Sequence, residues 1–312
     1  NSNGQKAEGQ DVPTLNFDNY AFADVRIPNM PYNFSVTALT IGADVPAFDL
    51  VNVFGDNLTT FVIDANNQNY SAEDNVIYDK AKTRIIFYPK TKTGEYVIPD
   101  TVLEIADNTF ANRVFLTKVT VGKNVQKIGA SAFENCHALT EVVFADQSVL
   151  TSIGNYAFRG CQQLQTVTLP AKLTTLGAEN QDMLVFDGCD QLKTINIAEG
   201  NTSFAQENGI LYALDAAGNK AELICVAAIE QDAVLDLPAT LTKISARAFA
   251  KNTRVKEVVF TNGITTSLTI SDQAFKDCVN LQKISLPKNL ASIGAEALTQ
   301  DFWARKFFEG LR

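Results

Sequence analysis

The residues of this sequence best equipped for chemistry are five cysteines and one histidine. Four of the cysteines share one context, each lying three residues after a phenylalanine: Cys136, Cys161, Cys189 and Cys278. This context predicts a buried column of structural thiols, and the odd total excludes a fully paired disulfide framework. A bridge such as Cys136 to Cys161 remains sterically open, because neighbouring coils of a stack lie about 4.8 Å apart. The spacing lacks the paired Cys-x-x-Cys knuckles of zinc sites, so we expect no metal.

The single histidine, His137, gives little support for catalysis. It directly follows Cys136, and adjacent side chains generally point in different directions, so we expect a surface residue rather than a Cys-His dyad. The sequence lacks a Gly-x-Ser-x-Gly elbow, a His-Glu-x-x-His helix and a glycine-rich phosphate loop. Residues 64–69 (DANNQN) hold calcium-type ligands without the Gly and terminal Glu of an EF-hand, which favours a plain loop. We therefore predict that the protein is not an enzyme and has no cofactor.

Charge and hydropathy restrict the partners. The 312 residues include 26 basic and 35 acidic side chains, a net charge of −9, and no Lys or Arg cluster long enough to follow a phosphate backbone. Nucleic acid and anionic membranes are therefore poor candidates. The longest apolar run, residues 223–229, is far shorter than the roughly 18 residues of a membrane-spanning helix. Residues 1–10 are polar, like a tether left after a leader is removed, and a truncated chain would look the same.

The cysteines recur because the chain itself repeats. One template, Ile-Gly-x-x-Ala-Phe-x-x-Cys-x-x-Leu-x-x-Val-x-Val, aligns along most of the sequence, with the clearest copies at residues 128–144 and 153–169. Its leading residues are Ile105, Ile128, Ile153, Leu176, Ile244, Ile270 and Ile293. Steps of 23 to 26 residues lie inside the leucine-rich-repeat range of about 20 to 29 residues. The one long interval contains an additional element.

That element occurs twice. Residues 54–78 align with residues 186–212, and the interval from Leu to Tyr is 20 residues in both blocks. After each tyrosine a polar turn and a second apolar run follow, which predicts a β-hairpin in each block. We place the hairpin inserts near residues 74–98 and 208–237.

The template also predicts the local structure of a coil. Its Leu-x-x-Val-x-Val run has the period of a strand, while the Ala-Phe-x-x-Cys portion favours a short helical or 3₁₀ turn. Neither piece buries its apolar side alone, so the coils must stack and form a parallel sheet along one face. The predicted fold is a β-rich leucine-rich-repeat solenoid of the α+β type, with two hairpin inserts and capped ends. Its parts are a flexible tether (1–11), an N-terminal cap or divergent repeat (12–53), the solenoid (54–298) and a C-terminal capping helix (299–312).

Together these motifs resemble the BspA-like class of leucine-rich repeats over about residues 54–298. The resemblance rests on the template, on Asn-Gly-Ile-Leu-Tyr at residues 208–212 with its weaker copy at 74–78, and on Ile-Pro-Asp-Thr-Val-Leu-Glu-Ile at 98–105. It implies a protein secreted or anchored in the outer membrane of Bacteroides-type bacteria, with a lipid anchor in the precursor as one option. Characterised members of the class are adhesins for host or bacterial proteins, and they share no catalytic residues.

This chain departs from the family pattern at several positions. Arg113 and Asn252 stand at the Cys position, five extra residues precede Phe186, and Leu298 replaces the Phe of the last copy. We expect local irregularity of the coil at these positions and retention of the fold. A binding surface shared with other members does not follow from the resemblance.

Strand residues that point away from the core form a candidate binding surface. They lie two and four residues after the template Leu, and they are Lys118, Thr120, Glu141, Val143, Thr166, Thr168, Thr194, Asn196, Glu257, Val259, Lys283 and Ser285. As a ligand face, this surface would take charge selectivity from Glu141 and Glu257. Hydroxyl and β-branched side chains also suit any exposed sheet, so ordinary sheet packing is the competing interpretation. The hairpin tyrosines Tyr78, Tyr88 and Tyr212 form a second possible surface, although packing back onto the solenoid is favoured.

Three functions follow as hypotheses. The leading one is a non-catalytic extracellular or cell-surface binding protein, a monomer that recognises a protein or glycan through its sheet face or hairpins. The alternative is a structural spacer of the cell envelope without a specific ligand. A carboxylate-based hydrolase is the third, because the sequence cannot place carboxylate pairs.

Overall fold

The computed structural model describes residues 15–16, 38–47, 58–177, 184–227, 229–260, 263 and 265–298. The predicted tether at 1–11, most of the 12–53 segment and the predicted capping helix at 299–312 lie outside these residues. Every regular element within the described part is a β-strand. None of the described residues belongs to a helix of the length and hydropathy that crossing a membrane requires.

Each regular coil contributes one longer and one shorter strand, so two parallel sheets run along the stack. The longer strands form the middle sheet: β7 (Gly94–Val97), β9 (Leu116–Val121), β11 (Glu141–Phe144), β13 (Thr166–Leu169) and β15 (Thr194–Ile197). The two-residue strands form the narrow sheet: β8 (Glu104–Ile105), β10 (Lys127–Ile128), β12 (Ser152–Ile153) and β14 (Thr175–Leu176). The predicted solenoid is confirmed, with a second sheet beside the one that the sequence predicted.

The glycine of the Ile-Gly pair lets successive coils approach closely beside the narrow sheet. A Cβ added at Gly129 would lie 2.6 Å from the backbone nitrogen of Asp107, and one added at Gly154 would lie 2.6 Å from that of Ala130. Side-chain carbon atoms do not come so close to backbone atoms, so a larger residue would push two coils apart. The Ile therefore fills the core while the Gly sets the coil spacing.

The Ala-Phe-x-x-Cys segments form turns of another kind than predicted. The N–H of Phe133 donates to the carbonyl of Ala157 at 2.8 Å, and the N–H of Asn135 donates to that of Arg159 at 2.7 Å, both in the next coil. In a helical turn these groups would bond within their own turn. The backbone reaches the neighbouring coil because Ser131 and Asn135 adopt left-handed conformations, with φ of 53° and 58°. The expected helical or 3₁₀ turn is therefore wrong for these coils.

Two antiparallel meanders interrupt the stack where the hairpins were predicted. The first meander is β4 (Tyr70–Glu73), β5 (Val76–Asp79) and β6 (Arg84–Phe87), and the second is β16 (Phe204–Glu207), β17 (Ile210–Leu214) and β18 (Lys220–Val226). The last strand of each meander pairs in parallel with the next narrow strand, Ile85 opposite Ile105 and Leu223 opposite Ile244. Both hairpins are confirmed, and each has one further strand in front of it.

Shorter sheets lie before the first meander and after the second. The N-terminal sheet contains β1 (Leu15–Asn16), β2 (Ala38–Ile41) and β3 (Thr60–Ile63). The C-terminal sheet contains β19 (Ala233–Asp236), β21 (Val255–Val259) and β23 (Lys283–Ile284), beside narrow strands β20 (Lys243–Ile244), β22 (Leu268–Ile270) and β24 (Leu290–Ile293). Leu39 lies opposite Phe61 in the parallel pairing of β2 with β3, so this part of the N-terminal segment follows the solenoid pattern. Leu298 bridges to Phe275 and is buried, so it takes the place of the missing Phe.

Each meander separates two hydrophobic cores and is buried on both faces. On β5, Ile77 belongs to the N-terminal core and Tyr78 to the middle core. On β17, Leu211 belongs to the middle core and Tyr212 to the C-terminal core. Successive strand residues point to opposite faces, so a strand covered on both sides needs an uninterrupted apolar run. The Val-Ile-Tyr and Ile-Leu-Tyr runs meet that requirement, and each meander forms a partition within the solenoid.

Candidate binding surface

The four template cysteines are hydrogen-bond donors within the stack. Each thiol faces the carbonyl oxygen of the Phe one coil earlier: Cys136 to Phe110 at 3.0 Å, Cys161 to Phe133 at 3.2 Å, Cys189 to Phe158 at 3.2 Å and Cys278 to Phe249 at 2.9 Å. Burial raises the pKa of Cys136 and of Cys278 to about 12, so both thiols are protonated at neutral pH. All five cysteines are unpaired. The column therefore joins coils and offers no nucleophile.

Both departures from the cysteine pattern lie in the first coil after a meander. There the preceding coil is a meander strand and carries no template Phe. Arg113 extends its buried guanidinium instead, and its Nε donates to the carbonyl oxygen of Tyr88 at 2.6 Å. The Oδ1 of Asn252 accepts from the N–H groups of Arg254 and Val255 in its own turn, each at 2.9 Å. The residue at this position thus depends on what the coil before it offers.

His137 does not form a dyad with the adjacent cysteine, and the described residues do not cluster into a metal site. His137 is exposed, while the thiol of the adjacent Cys136 is buried against the carbonyl of Phe110. The described residues include no group of three or more His, Cys, Asp or Glu side chains that could hold a metal ion.

A side-chain amide braces the loop before each meander. The Nδ2 of Asn67 donates to the carbonyl of Gly42 and that of Asn201 to the carbonyl of Pro170, both at 2.8 Å. Each Oδ1 accepts two backbone N–H groups from the residues that follow. The amide-rich stretch 64–69 is therefore a loop held to the preceding coil, as its turn-forming residues predicted.

Eight of the predicted surface residues form two aligned rows on the middle sheet, which we call the middle-sheet face. In the first row Glu141 lies opposite Lys118 on one side and Thr166 on the other, and Thr166 lies opposite Thr194. In the second row Thr120 lies opposite Val143, and Thr168 lies opposite Asn196. The residues between the rows are buried, so alternation along each strand directs both rows outward.

The other four predicted residues lie on the C-terminal sheet, beyond the second meander. Glu257 is opposite Lys283, and Val259 and Ser285 are half-buried. Because the meander interrupts the longer strands, the twelve predicted residues do not form one continuous surface. The middle-sheet face is the larger part.

Cross-strand ion pairs neutralise both predicted glutamates. Lys118 Nζ lies 2.9 Å from Glu141 Oε2, and Lys283 pairs with Glu257. The hydrogen bond that Lys118 donates to Glu141 raises the pKa of Lys118. Exposed pairs of this kind stabilise a fold only slightly. Their consequence is for recognition, since neither carboxylate presents an uncompensated charge.

A groove of about 480 Å³ borders the middle-sheet face. Thr166, Thr168 and Glu141 line its sheet side, and the loop residues Asp146 and Gln147 line the other. No Lys, Arg or His is among the described residues that line it. The loop residues were missed by sequence reasoning because the template marks them only as a polar turn.

Two further residues extend the face and were also missed. Glu95 and Val97 of β7 lie opposite Lys118 and Thr120, and Val97 is 66% exposed. Their segment has no template Leu from which to count. The usable signal is the Ile-Pro pair at residues 98–99, which matches the Leu-Pro pair at residues 169–170, at the end of β13.

The hairpin tyrosines do not form a surface. Tyr78 and Tyr212 are each 2% exposed and Tyr88 is fully buried, so they pack back onto the solenoid as favoured above. The hydroxyls of Tyr78 and Tyr96 share a hydrogen bond of 2.5 Å, and burial raises the pKa of both. The hydroxyl of Tyr88 has no hydrogen-bond partner among the residues that the structure describes.

The fold defines the class of protein as a leucine-rich-repeat solenoid. It has paired parallel sheets, hydrogen bonds from thiols to the preceding coil, and a stack of Phe rings. The rings of Phe110, Phe133 and Phe158 lie parallel, with successive centroids 4.8 and 5.3 Å apart. The BspA type Leucine rich repeat region matches residues 83–208 and 233–303 in six copies. This match covers more than half of the sequence, and the chain belongs to that family.

Solved structures share the fold. A leucine-rich repeat protein from Eubacterium ventriosum is 27% identical, with 84% of this chain and 58% of that chain covered and a TM-score of 0.51. The pneumococcal vaccine antigen PcpA is 21% identical, with 84% of this chain and 69% of that chain covered and a TM-score of 0.52. The present chain thus spans less than two thirds of the Eubacterium protein. No curated protein matches the sequence.

Proposed function

We propose that this chain is a non-catalytic binding protein at or outside the bacterial cell surface, and that the middle-sheet face is its ligand surface. The alignment of hydrogen-bonding side chains in two rows beside a groove of about 480 Å³ carries the proposal. Stacked coils repeat such groups at a regular spacing, which suits an extended ligand. The chain belongs to the BspA-type family. Because characterised members of that class are adhesins, membership supports a location at or outside the cell surface.

The chemistry of the face favours a ligand rich in hydrogen-bond donors. Thr166, Thr168 and Thr194 present hydroxyls, Asn196 presents an amide, and Asp146 adds a carboxylate on the groove wall. A polypeptide backbone or a glycan can satisfy these groups, because both offer repeated donors and acceptors. The ion pair of Lys118 with Glu141 restricts charge recognition to the groove side.

A pair of double variants tests the location of the ligand surface. Thr166→Arg with Thr168→Arg blocks the groove floor, and Gln163→Arg with Gln191→Arg adds the same charge at exposed positions off the face. The immobilised chain would be exposed to extracts of host and bacterial surfaces and to a glycan array. We expect the bound species to be lost only with the first variant, while both keep the circular dichroism of the parent.

The opposite results have distinct meanings. A ligand retained by the Thr166 and Thr168 variant would place the binding surface elsewhere. If no ligand is found and cells tolerate the first variant without a phenotype, the spacer hypothesis replaces this one. Recovery of the protein in the cytoplasm after fractionation would contradict the proposed location.

A further inference from the structure

A cavity of about 440 Å³ lies where the second meander interrupts the stack. One wall is the turn at residues 184–190, the last before the meander, and the opposite wall is the turn at 246–254, the first after it. Residues 224–227 of the meander form the floor. This volume lies within the range of about 300 to 1,000 Å³ that small-molecule sites occupy.

At the positions that border the cavity, the second meander carries smaller side chains than the first. Strand register matches Phe87 with Cys225, and therefore Tyr88 with Val226. Phe87 and Tyr88 are 1% and 0% exposed, and the ring of Phe87 packs into the N-terminal core while that of Tyr88 packs into the middle core. The side chains of Cys225 and Val226 have no ring and are smaller than those of Phe87 and Tyr88. The cavity of about 440 Å³ is large enough to admit an aromatic ring with a short substituent.

The lining combines an apolar floor with a charged rim. Phe186, Ile224 and Ala248 are buried and line the interior. Contact with these groups favours an aromatic or aliphatic ligand, because burial of apolar surface is favourable by about 25 cal/mol per Å².

Charges at the rim favour an anion. Arg247 joins the two walls, its Nε donating to Asp187 Oδ1 at 2.9 Å, so these two charges compensate each other. Lys251 and Arg254 lie exposed on one wall, and neither forms an ion pair with a described residue. Asp190 on the other wall is the single opposing carboxylate without an ion pair in the described part of the chain. Two cations against one carboxylate leave the rim positive.

We propose that this cavity binds a small aromatic carboxylate. Its ring occupies the place that Phe87 fills in the first meander, and its carboxylate lies at Lys251 and Arg254. The site uses no residue of the middle-sheet face or its groove. The proposal therefore goes beyond the function proposed above, and the two can fail separately.

Three ligands that share a phenyl ring and differ in charge test the proposal. The full chain would be titrated with 3-phenylpropionate, 2-phenylethanol and 2-phenylethylamine by isothermal titration calorimetry. We expect 3-phenylpropionate to bind, with Kd about tenfold lower than that of the neutral alcohol, because charge-assisted hydrogen bonds are the stronger ones. The amine should bind more weakly than the alcohol.

Two sets of variants locate the binding. Lys251→Gln with Arg254→Gln should raise the Kd of 3-phenylpropionate about tenfold and leave the alcohol unchanged. The matched control, Lys172→Gln with Lys193→Gln, removes two exposed lysines elsewhere and should change neither. Cys225→Phe should abolish binding of the acid and the alcohol, because it restores the ring of the first meander.

The proposal is overturned if 3-phenylpropionate does not bind the parent chain, or if the amine binds more tightly than the acid. It is also overturned if a folded Cys225→Phe variant binds the acid as well as the parent does. Should Cys225→Phe fail to fold, the exposed Lys251 and Arg254 variant decides alone: an unchanged Kd for the acid contradicts the site.

Discussion

The two meanders share strand order, register and a bracing asparagine, and they differ in what fills them. In the first, Phe87 contacts Phe61 edge-on with ring centroids 5.4 Å apart, and Tyr88 contacts Tyr96 at 4.9 Å. In the second, the place of the first ring holds Cys225, and a cavity of about 440 Å³ lies beside it. The antiparallel framework depends on backbone hydrogen bonds and burial of both faces. Its interior packing can therefore change without loss of the partition.

The largest change in the free energy of unfolding should come from exchanging the two matched residues, Phe87 and Cys225. Phe87→Cys removes a fully packed ring, and we expect the free energy of unfolding to fall by about 3 kcal/mol, measured by urea denaturation. Cys225→Phe places a ring where space exists, so its cost should stay below about 1.5 kcal/mol. Equal losses in the two variants would show that the two partitions are packed alike.

The first coil after each meander offers a second test. Arg113→Cys removes the bonds from the guanidinium to the carbonyls of Tyr88 and Ala111, and the carbonyl of Tyr88 loses a donor in a buried place. We expect a loss of about 2 kcal/mol in the free energy of unfolding. Arg84→Cys, at an exposed position, should change it by less than about 0.5 kcal/mol. A similar small change for Arg113→Cys would mean that a thiol serves this position equally well.

Removal of two tyrosine hydroxyls in the first meander should change the free energy of unfolding in opposite directions. Tyr88→Phe removes a buried hydroxyl without a partner and should raise the free energy of unfolding by about 1 kcal/mol. Tyr78→Phe removes the hydrogen bond with Tyr96 and should lower it by about 1 kcal/mol. Denaturation of both variants under one condition checks the signs, and a loss of stability in Tyr88→Phe would contradict the assignment.

The smallest expected effect is a difference in thiol reactivity between the cavity of the second meander and the cysteine column of the regular coils. Burial raises the pKa of Cys136 to about 12 from 9.0, so the folded state keeps a proton that the unfolded state releases. The resulting stability is complete below pH 9 and declines as pH rises toward 12. Burial raises the pKa of Cys225 to about 12 as well, so the two thiols differ in exposure: Cys225 is half-buried and lines the cavity, whereas Cys136 is 0% exposed. At pH 8 we expect iodoacetamide to modify Cys225 before Cys136, as followed by peptide mass spectrometry. Equal rates would indicate that the cavity is closed to the reagent.

The elements that sequence reasoning found have a period, and those it missed do not. The Leu-x-x-Val-x-Val strands and the apolar runs of the meanders each show their burial pattern within a few residues. Most narrow strands have only two residues, too few for any period. The second left-handed position of each turn holds Asn, Asp or Gly in most coils, but the first holds residues as different as Ser131, Tyr156 and Arg247, so no residue type marks the first position. Inter-coil hydrogen bonds impose that backbone, and local propensity does not reveal it.

Part of the candidate surface was predictable for the same reason. Alternation alone directed Thr166, Thr168 and the other predicted residues outward. Pairing of Lys118 with Glu141 depends on register between strands of different coils, which the repeat spacing implies only after the coils are stacked. The groove also needs the loop at residues 145–148 and Ala198, about fifty residues later in the chain.

The sequence by itself determined the repeat, the cysteine column, the paired meanders and the outward strand positions, because each depends on the order of apolar and polar residues within one coil. The tertiary structure decided the second sheet, the form of the turns, the neutralised glutamates, the groove and the cavity beside Cys225. Each of these arises between coils, where residues about 23 or more positions apart meet, and their contacts depend on packing and register that no single coil contains.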